Sequence, residues 1–286
     1  MFSRSEGGFA PLPTVVARLA AHSSVPSPPR IAPVKPAREW RRVGHAWFLT
    51  LAMLMLAVPA WADEAADIVR DADLARRPGQ SFVWKITVTS HEKGKEPSVD
   101  GFEVFVKGTG RAFVKFIAPP RNVGRSLLAL DRDLWIYLPD AGKPVRIPLS
   151  QRLVGQVSNG DIARVDYAGD YTPALAGQDT VDGVPCHVLD LKAKTKEVTY
   201  AAIKYWVSRE GRRPVKAEFS AGTGTLLKSG RFDNYKAFAG GQPIATRLTL
   251  TDAIRKDRSS VIEYGQVTVR DLPDKYFDKN YMKTLD

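Results

Sequence analysis

The sequence predicts a mainly β, α+β domain organised as a long antiparallel meander, and three observations carry that expectation. Apolar and polar residues alternate with a period of two in roughly ten runs between Phe82 and Arg270. Turn-forming residues separate those runs. One stretch, Asp63 to Arg77, has the helical period instead, and Pro78-Gly79 ends it.

In that first stretch Ala65, Ile68, Val69, Ala72 and Leu74 stand among acidic residues as one apolar face of a short helix. The period then changes, with Phe82, Trp84, Ile86 and Val88 alternating against Lys85, Thr87 and Thr89, which reads as the first strand. Runs over 102–107 and 111–117 flank Gly108-Thr109-Gly110, a loop of hairpin length. Further strands are expected over 126–130, 134–138, 145–148, 187–191, 200–208, 214–220, 225–235, 245–251 and 260–270. Asp131-Arg132-Asp133, Asp140-Ala141-Gly142, Arg209-Glu210-Gly211 and Gly240-Gly241-Gln242 supply turns between them. Such a meander closes as a sandwich or curls as a barrel-like sheet. Leu149 to Leu175 loses the period and contains Asn159-Gly160-Asp161 and Gly169-Asp170, so it reads as a long connection of the kind that is usually functional or mobile.

Several strands are apolar on both sides. Phe102, Val104 and Val106 share a face while Phe105 takes the other, and Phe116, Trp135 and Tyr137 sit opposite their apolar neighbours. A single antiparallel layer normally keeps one face polar. Either helices cover the second face, or that face encloses an apolar cavity.

The chain has 286 residues, 44% hydrophobic and 26% charged, enough material for a sizeable core. Near the N-terminus Arg38, Arg41 and Arg42 lead into the apolar run 47–58, too short to span a bilayer, and Pro59-Ala60-Trp61-Ala62 offers small residues for cleavage before Asp63. The expected organisation is an unstructured extension or misassigned start over 1–40, an export signal over 41–62 ending near Ala62, and a periplasmic domain over 63–286. Seven of the 42 basic and two of the 31 acidic residues precede Asp63, which leaves a net charge of +6 on the domain. The basic residues alternate along strands rather than clustering on a helix, so no nucleic-acid partner is expected.

Catalytic patterns are missing. His91 stands near a strand end, and Cys186-His187 are strand neighbours whose side chains take opposite faces, which does not make a dyad. Cys186 is the single cysteine, so an internal disulfide is impossible. Gly222-Thr223-Gly224 precedes a strand and lacks the spacing of a phosphate loop, so it is a hairpin turn. Asp161, Asp166 and Asp170 lack the spacing of a calcium loop. The chain is expected not to be an enzyme, with no catalytic residue, no metal ligand and no cofactor; a hydrolase would need an activated nucleophile.

Three segments, Pro120-Arg121-Asn122-Val123-Gly124-Arg125-Ser126-Leu127-Leu128, Leu134-Trp135-Ile136-Tyr137-Leu138-Pro139 and Val145-Arg146-Ile147-Pro148, together resemble the LolA-like family of outer-membrane lipoprotein-sorting proteins. Lys204-Tyr205-Trp206-Val207, Arg213-Pro214-Val215-Lys216-Ala217-Glu218 and the ending Tyr276 to Met282 extend the resemblance over nearly all of the domain. One departure is Val157-Ser158-Asn159-Gly160-Asp161-Ile162, where the family often has Gly-Ser-Asp-Phe. The resemblance implies a single unclosed antiparallel β-barrel with short helices as a lid over an apolar cavity. It implies lipoproteins or other lipids as cargo, with an inner-membrane transporter and an outer-membrane acceptor as partners. Phe82, Trp84, Phe102, Phe113, Trp135 and Tyr137 are then the expected lipid-binding lining, with Leu153 and its connection as a gate. An envelope sensor, or an adaptor to an exporter, is the alternative use of the same fold.

Overall fold

The computed structural model describes residues 60–238 and 241–283. The expected extension over 1–40, and the expected signal over 41–62 apart from its last residues, lie outside the described residues.

Among the described residues, fifteen strands and three α-helices follow in the order α1 (Ala60–Leu74), β1 (Ser81–Glu92), β2 (Ser98–Lys107), β3 (Arg111–Ala118), β4 (Ser126–Leu130), β5 (Asp133–Tyr137), β6 (Val145–Ile147), β7 (Arg152–Val154), β8 (Val157–Ser158), α2 (Asn159–Ala163), α3 (Tyr167–Asp170), β9 (Tyr171–Val181), β10 (Val184–Ala193), β11 (Ala202–Ser208), β12 (Pro214–Ser220), β13 (Leu226–Lys236), β14 (Ile244–Asp252) and β15 (Arg258–Val269). Thirteen strands form one antiparallel sheet in the order β6-β5-β4-β3-β2-β1-β15-β14-β13-β12-β11-β10-β9, and β7 pairs with β8. The sheet is therefore two meanders joined where β1 pairs with β15. Its edges, β6 and β9, do not pair, so it is not closed into a barrel.

That order forces curvature. Laid flat, twelve inter-strand spacings of about 4.8 Å would separate β6 from β9 by about 58 Å. The chain runs from one edge to the other through residues 148–170, which double back in the β7–β8 hairpin and coil in α2 and α3. A segment so folded cannot bridge a flat sheet, and the sheet curls beneath it.

Alternation assigns each strand residue to a face. Phe82, Trp84, Ile86 and Val88 of β1, Phe102 and Val104 of β2, and Ala112, Val114 and Phe116 of β3 are buried on the inner face, in one cluster with Ala65, Ile68, Val69 and Ala72 of α1 and Ile162 and Ala163 of α2. Leu74, expected on the apolar face of the helix, is 52% exposed. The outer face carries a second cluster of Val83, Phe105, Phe113, Leu128, Leu272, Phe277 and Met282, in which 3-10 turns at Asp274–Phe277 and Lys279–Lys283 cover the strands. Helices thus cover the inner face and 3-10 turns cover the outer one.

Most expected strands appear within two or three residues of their expected limits, and Lys107 pairs with Arg111 across the Gly108-Thr109-Gly110 turn. The connection over 149–175 is more structured than expected. It holds the β7–β8 hairpin, α2, α3 and the first residues of β9, an edge strand whose burial pattern lacks a continuous apolar face. Among the described residues no helix is long and apolar enough to cross a membrane.

Candidate functional site: a lidded pocket on the inner face

The lid is held by polar groups from distant strands. Asp161 accepts the Ser158 backbone N–H at 2.8 Å, which starts α2. Its carboxylate also accepts the Tyr200 hydroxyl at 2.6 Å and the Lys228 ammonium at 3.0 Å. Lys228, in β13, is only 4% exposed and donates further to the Gln156 carbonyl. Ser260 of β15 accepts the Gln156 N–H at 2.9 Å and bonds Ser90 of β1 at 2.9 Å. Gly160 lies so close to Thr199 that a Cβ there would fall 1.8 Å from Oγ1.

The second lid helix is fastened by charge. Arg164 donates from Nε to Asp170 Oδ2 at 2.6 Å and from Nη2 to Oδ1 at 2.8 Å, a two-pronged pair in which both side chains are buried. Arg132 reaches the same carboxylate at 2.9 Å. Asp166 caps α3 by accepting the Gly169 N–H at 3.0 Å. The three aspartates that lacked calcium-loop spacing are thus the fasteners of the lid. Among the described residues no three His, Cys, Asp or Glu side chains converge as metal ligands would.

Between lid and sheet remains a cavity of about 50 Å³, room for a few water molecules or a small polar group. Its apolar wall comes from Phe82, Trp84, Ile86, Val104, Val106 and Ala112, and Ile162, Ala163, Phe232, Ala245 and Tyr264 complete it. Arg76, just past the end of α1, enters this space with its guanidinium 4.7 Å from the Tyr167 ring centre and 5.3 Å from that of Phe232. Asp73 accepts the Ala168 N–H at 2.8 Å, tying α1 to α3. Burial pushes the Asp73 carboxyl up to about 7, against the pull of Arg76, and pushes the Tyr167 phenol up to about 12.

The seven sequence-predicted lining residues do not share this space. Phe82 and Trp84 line the cavity, and Phe102 is buried in the inner cluster beside Phe116, ring centres 5.0 Å apart. Leu153, in β7, packs partly buried against the same cluster. Phe113, Trp135 and Tyr137 belong to the outer face, which corrects the expectation that they line the cavity. Register is the reason: Phe113 pairs with Phe105 on one side and Leu128 on the other, and Leu128 pairs with Trp135, so the row lies opposite Phe102 and Phe82. Lys279 then sits 4.2 Å from the Trp135 ring centre and closes that side.

Sequence reasoning had placed Ile86, Val104 and Val106 in the correct rows without singling them out. Arg76, Phe232, Ala245 and Tyr264 were missed because their convergence depends on the β1–β15 pairing and the placement of α1. Cys186 is buried with Val188, Trp206 and Val215 in a third cluster, and burial raises its thiol pKa. His187 faces the other way.

A family model described only as an uncharacterized protein matches residues 108–284. A LolA superfamily protein from Nitrosomonas europaea has a similar solved structure, 36% identical in sequence with a TM-score of 0.72, covering 76% of this chain and 98% of that one. An outer membrane lipoprotein-sorting protein domain from Vibrio parahaemolyticus is 20% identical with a TM-score of 0.68, over 78% of this chain and 99% of that one. A protein of a family of unknown function from Desulfovibrio piger is 21% identical with a TM-score of 0.69, over 78% of this chain and all of that one. The last two share the fold. The curated proteins include no match.

Proposed function

The chain belongs to the LolA superfamily, and we propose that it is a periplasmic carrier that shelters the acyl chains of lipoproteins or other lipids beneath its lid and passes them towards the outer membrane. The observation that carries this reading is a curled sheet whose inner face is apolar from β1 to β3 and is covered by short, separately fastened helices rather than by a continuous second layer. Burying an acyl chain is worth about 0.8 kcal/mol per CH₂, so a lipid tail crossing water needs such a surface. The cavity of about 50 Å³ is too small for a tail. Loading therefore requires α2, α3 and the β7–β8 hairpin to lift, and the buried Asp161–Lys228 and Arg164–Asp170 pairs set the cost of lifting them.

On this reading the work is binding and release, without bond-making. An inner-membrane transporter supplies the cargo and an outer-membrane acceptor removes it. The test is native mass spectrometry with lipid extraction on protein isolated from the envelope of expressing cells. Co-purifying acyl lipid or acylated protein supports a carrier and names the cargo class. A bare polypeptide mass, together with no uptake of a fluorescent fatty-acyl probe, rejects it.

A further inference from the structure

Two buried hydrogen-bond donors line the cavity and have no acceptor. Arg76 is 8% exposed and its guanidinium lies within hydrogen-bonding reach of the Tyr167 and Tyr264 phenols, yet its Nη1 finds no partner among the described residues; Trp84 is 4% exposed and its indole Nε1 finds none either. A buried donor without an acceptor costs about 1–3 kcal/mol, more when charged, so two of them beside one cavity mark a place where an acceptor belongs. The other three arginines that line the space are engaged: Arg77 donates to the Gly108 carbonyl, Arg111 to Asp274 and Arg164 to Asp170.

The acceptor must also suit a positive charge. Asp161, a carboxylate in the same lining, is already held by Lys228 and Tyr200. Asp73, beside Arg76, keeps a buried Oδ1 without a partner but lies outside the cavity lining, and its carboxyl is pushed up to about 7 by burial, so near neutral pH it offsets only part of the guanidinium charge. Trp84 shares its sheet face with Phe82, Ile86, Val104 and Val106, which form an apolar wall beside the two donors. A charged corner against an apolar wall is the complement of an amphiphile with a negative head.

Building on the carrier reading, we infer that the lidded pocket takes an anionic lipid, its carboxylate or phosphate head on Arg76 Nη1 and Trp84 Nε1 and its chain along the inner faces of β1 and β2. A cavity of about 50 Å³ holds such a head with the lid closed, and the chain follows when the lid lifts. A lipid whose head is a neutral ester leaves the guanidinium without its counter-charge.

The full-length protein, delipidated after purification, is titrated calorimetrically at pH 7.5 with palmitate, methyl palmitate and 1-palmitoyl lysophosphatidate, each below its micellar concentration. The expected result is binding of palmitate or lysophosphatidate at least tenfold tighter than of the methyl ester. That preference is lost in Arg76→Gln and reduced severalfold in Trp84→Phe, which keeps an aromatic ring and removes the donor. Tight binding of palmitate alone assigns a carboxylate, of lysophosphatidate alone a phosphate, and of both a shared anion site. If the ester binds as tightly as the acids, or the preference survives in Arg76→Gln, the anion site is overturned while the carrier stands. Failure of all three to bind overturns both. Should Arg76→Gln not fold, the wild-type preference and Trp84→Phe decide the matter.

Discussion

Asp73 is held in a place that suits its acid form. Its folded-state pKa of about 7 lies above the ordinary 3.8, so between those values the folded protein binds more protons than the unfolded chain. The group's stabilising contribution is complete below about pH 4, is lost as pH rises towards 7, and stays lost above it. Asp73→Asn carries no such titration, so its Tm should gain on that of wild type as pH goes from 4 to 8, a difference read by calorimetry at both ends. Parallel Tm profiles would mean that Asp73 is ionised throughout. Gly160 makes a different demand, for space. A Cβ there meets Thr199 Oγ1 at 1.8 Å and its Cβ at 3.0 Å, so in Gly160→Ala either α2 or the Thr199 loop must shift. Crowding of this kind costs about 1–3 kcal/mol, and adding Thr199→Ala should restore part of the lost Tm.

The lid elements owe their stability to partners that their own sequence does not contain. α2 has five residues and α3 four, too short to persist without tertiary contacts. Asp161 and Lys228 are 67 positions apart, and nothing in local periodicity links them. For the same reason the 149–175 segment reads in sequence only as a long connection without a period, whereas the strands, whose pattern is local, are legible to within a few residues. Lys228→Met leaves the Asp161 carboxylate buried against Tyr200 without its cation, at a cost of about 3–5 kcal/mol. Hydrogen exchange over residues 156–163 should accelerate in that variant, while β4 and β5 keep their protection. The double change Asp161→Asn with Lys228→Met should cost less than the sum of the two single changes, because each single change strands a buried charge and the double change strands none. Additive costs would show that the pair does not act as a unit.

Across the whole molecule, the two-faced strands divide labour that the sequence could reveal only in part. Alternation showed that both faces are apolar, but not which face meets the lid and which meets the C-terminal turns, because that depends on where residues 148–170 and 271–283 travel after the strands are built. Phe113 and Trp84 make the division testable. Both are buried, one under Phe277 and Met282 and the other under the lid, and either loses packing when reduced to Leu. Trp84→Leu and Phe113→Leu should therefore both lower the Tm, since large-to-small changes in a core destabilise on either face. Lipid recovered with the purified protein should fall only in Trp84→Leu, because only that side chain belongs to the surface on which an acyl chain would lie. If recovered lipid tracks Tm in both variants alike, retention reflects how much protein is folded, and the inner face has no special claim on the cargo. If it falls only in Phe113→Leu, the chain lies under the C-terminal turns, and the lid over the inner face must serve another end.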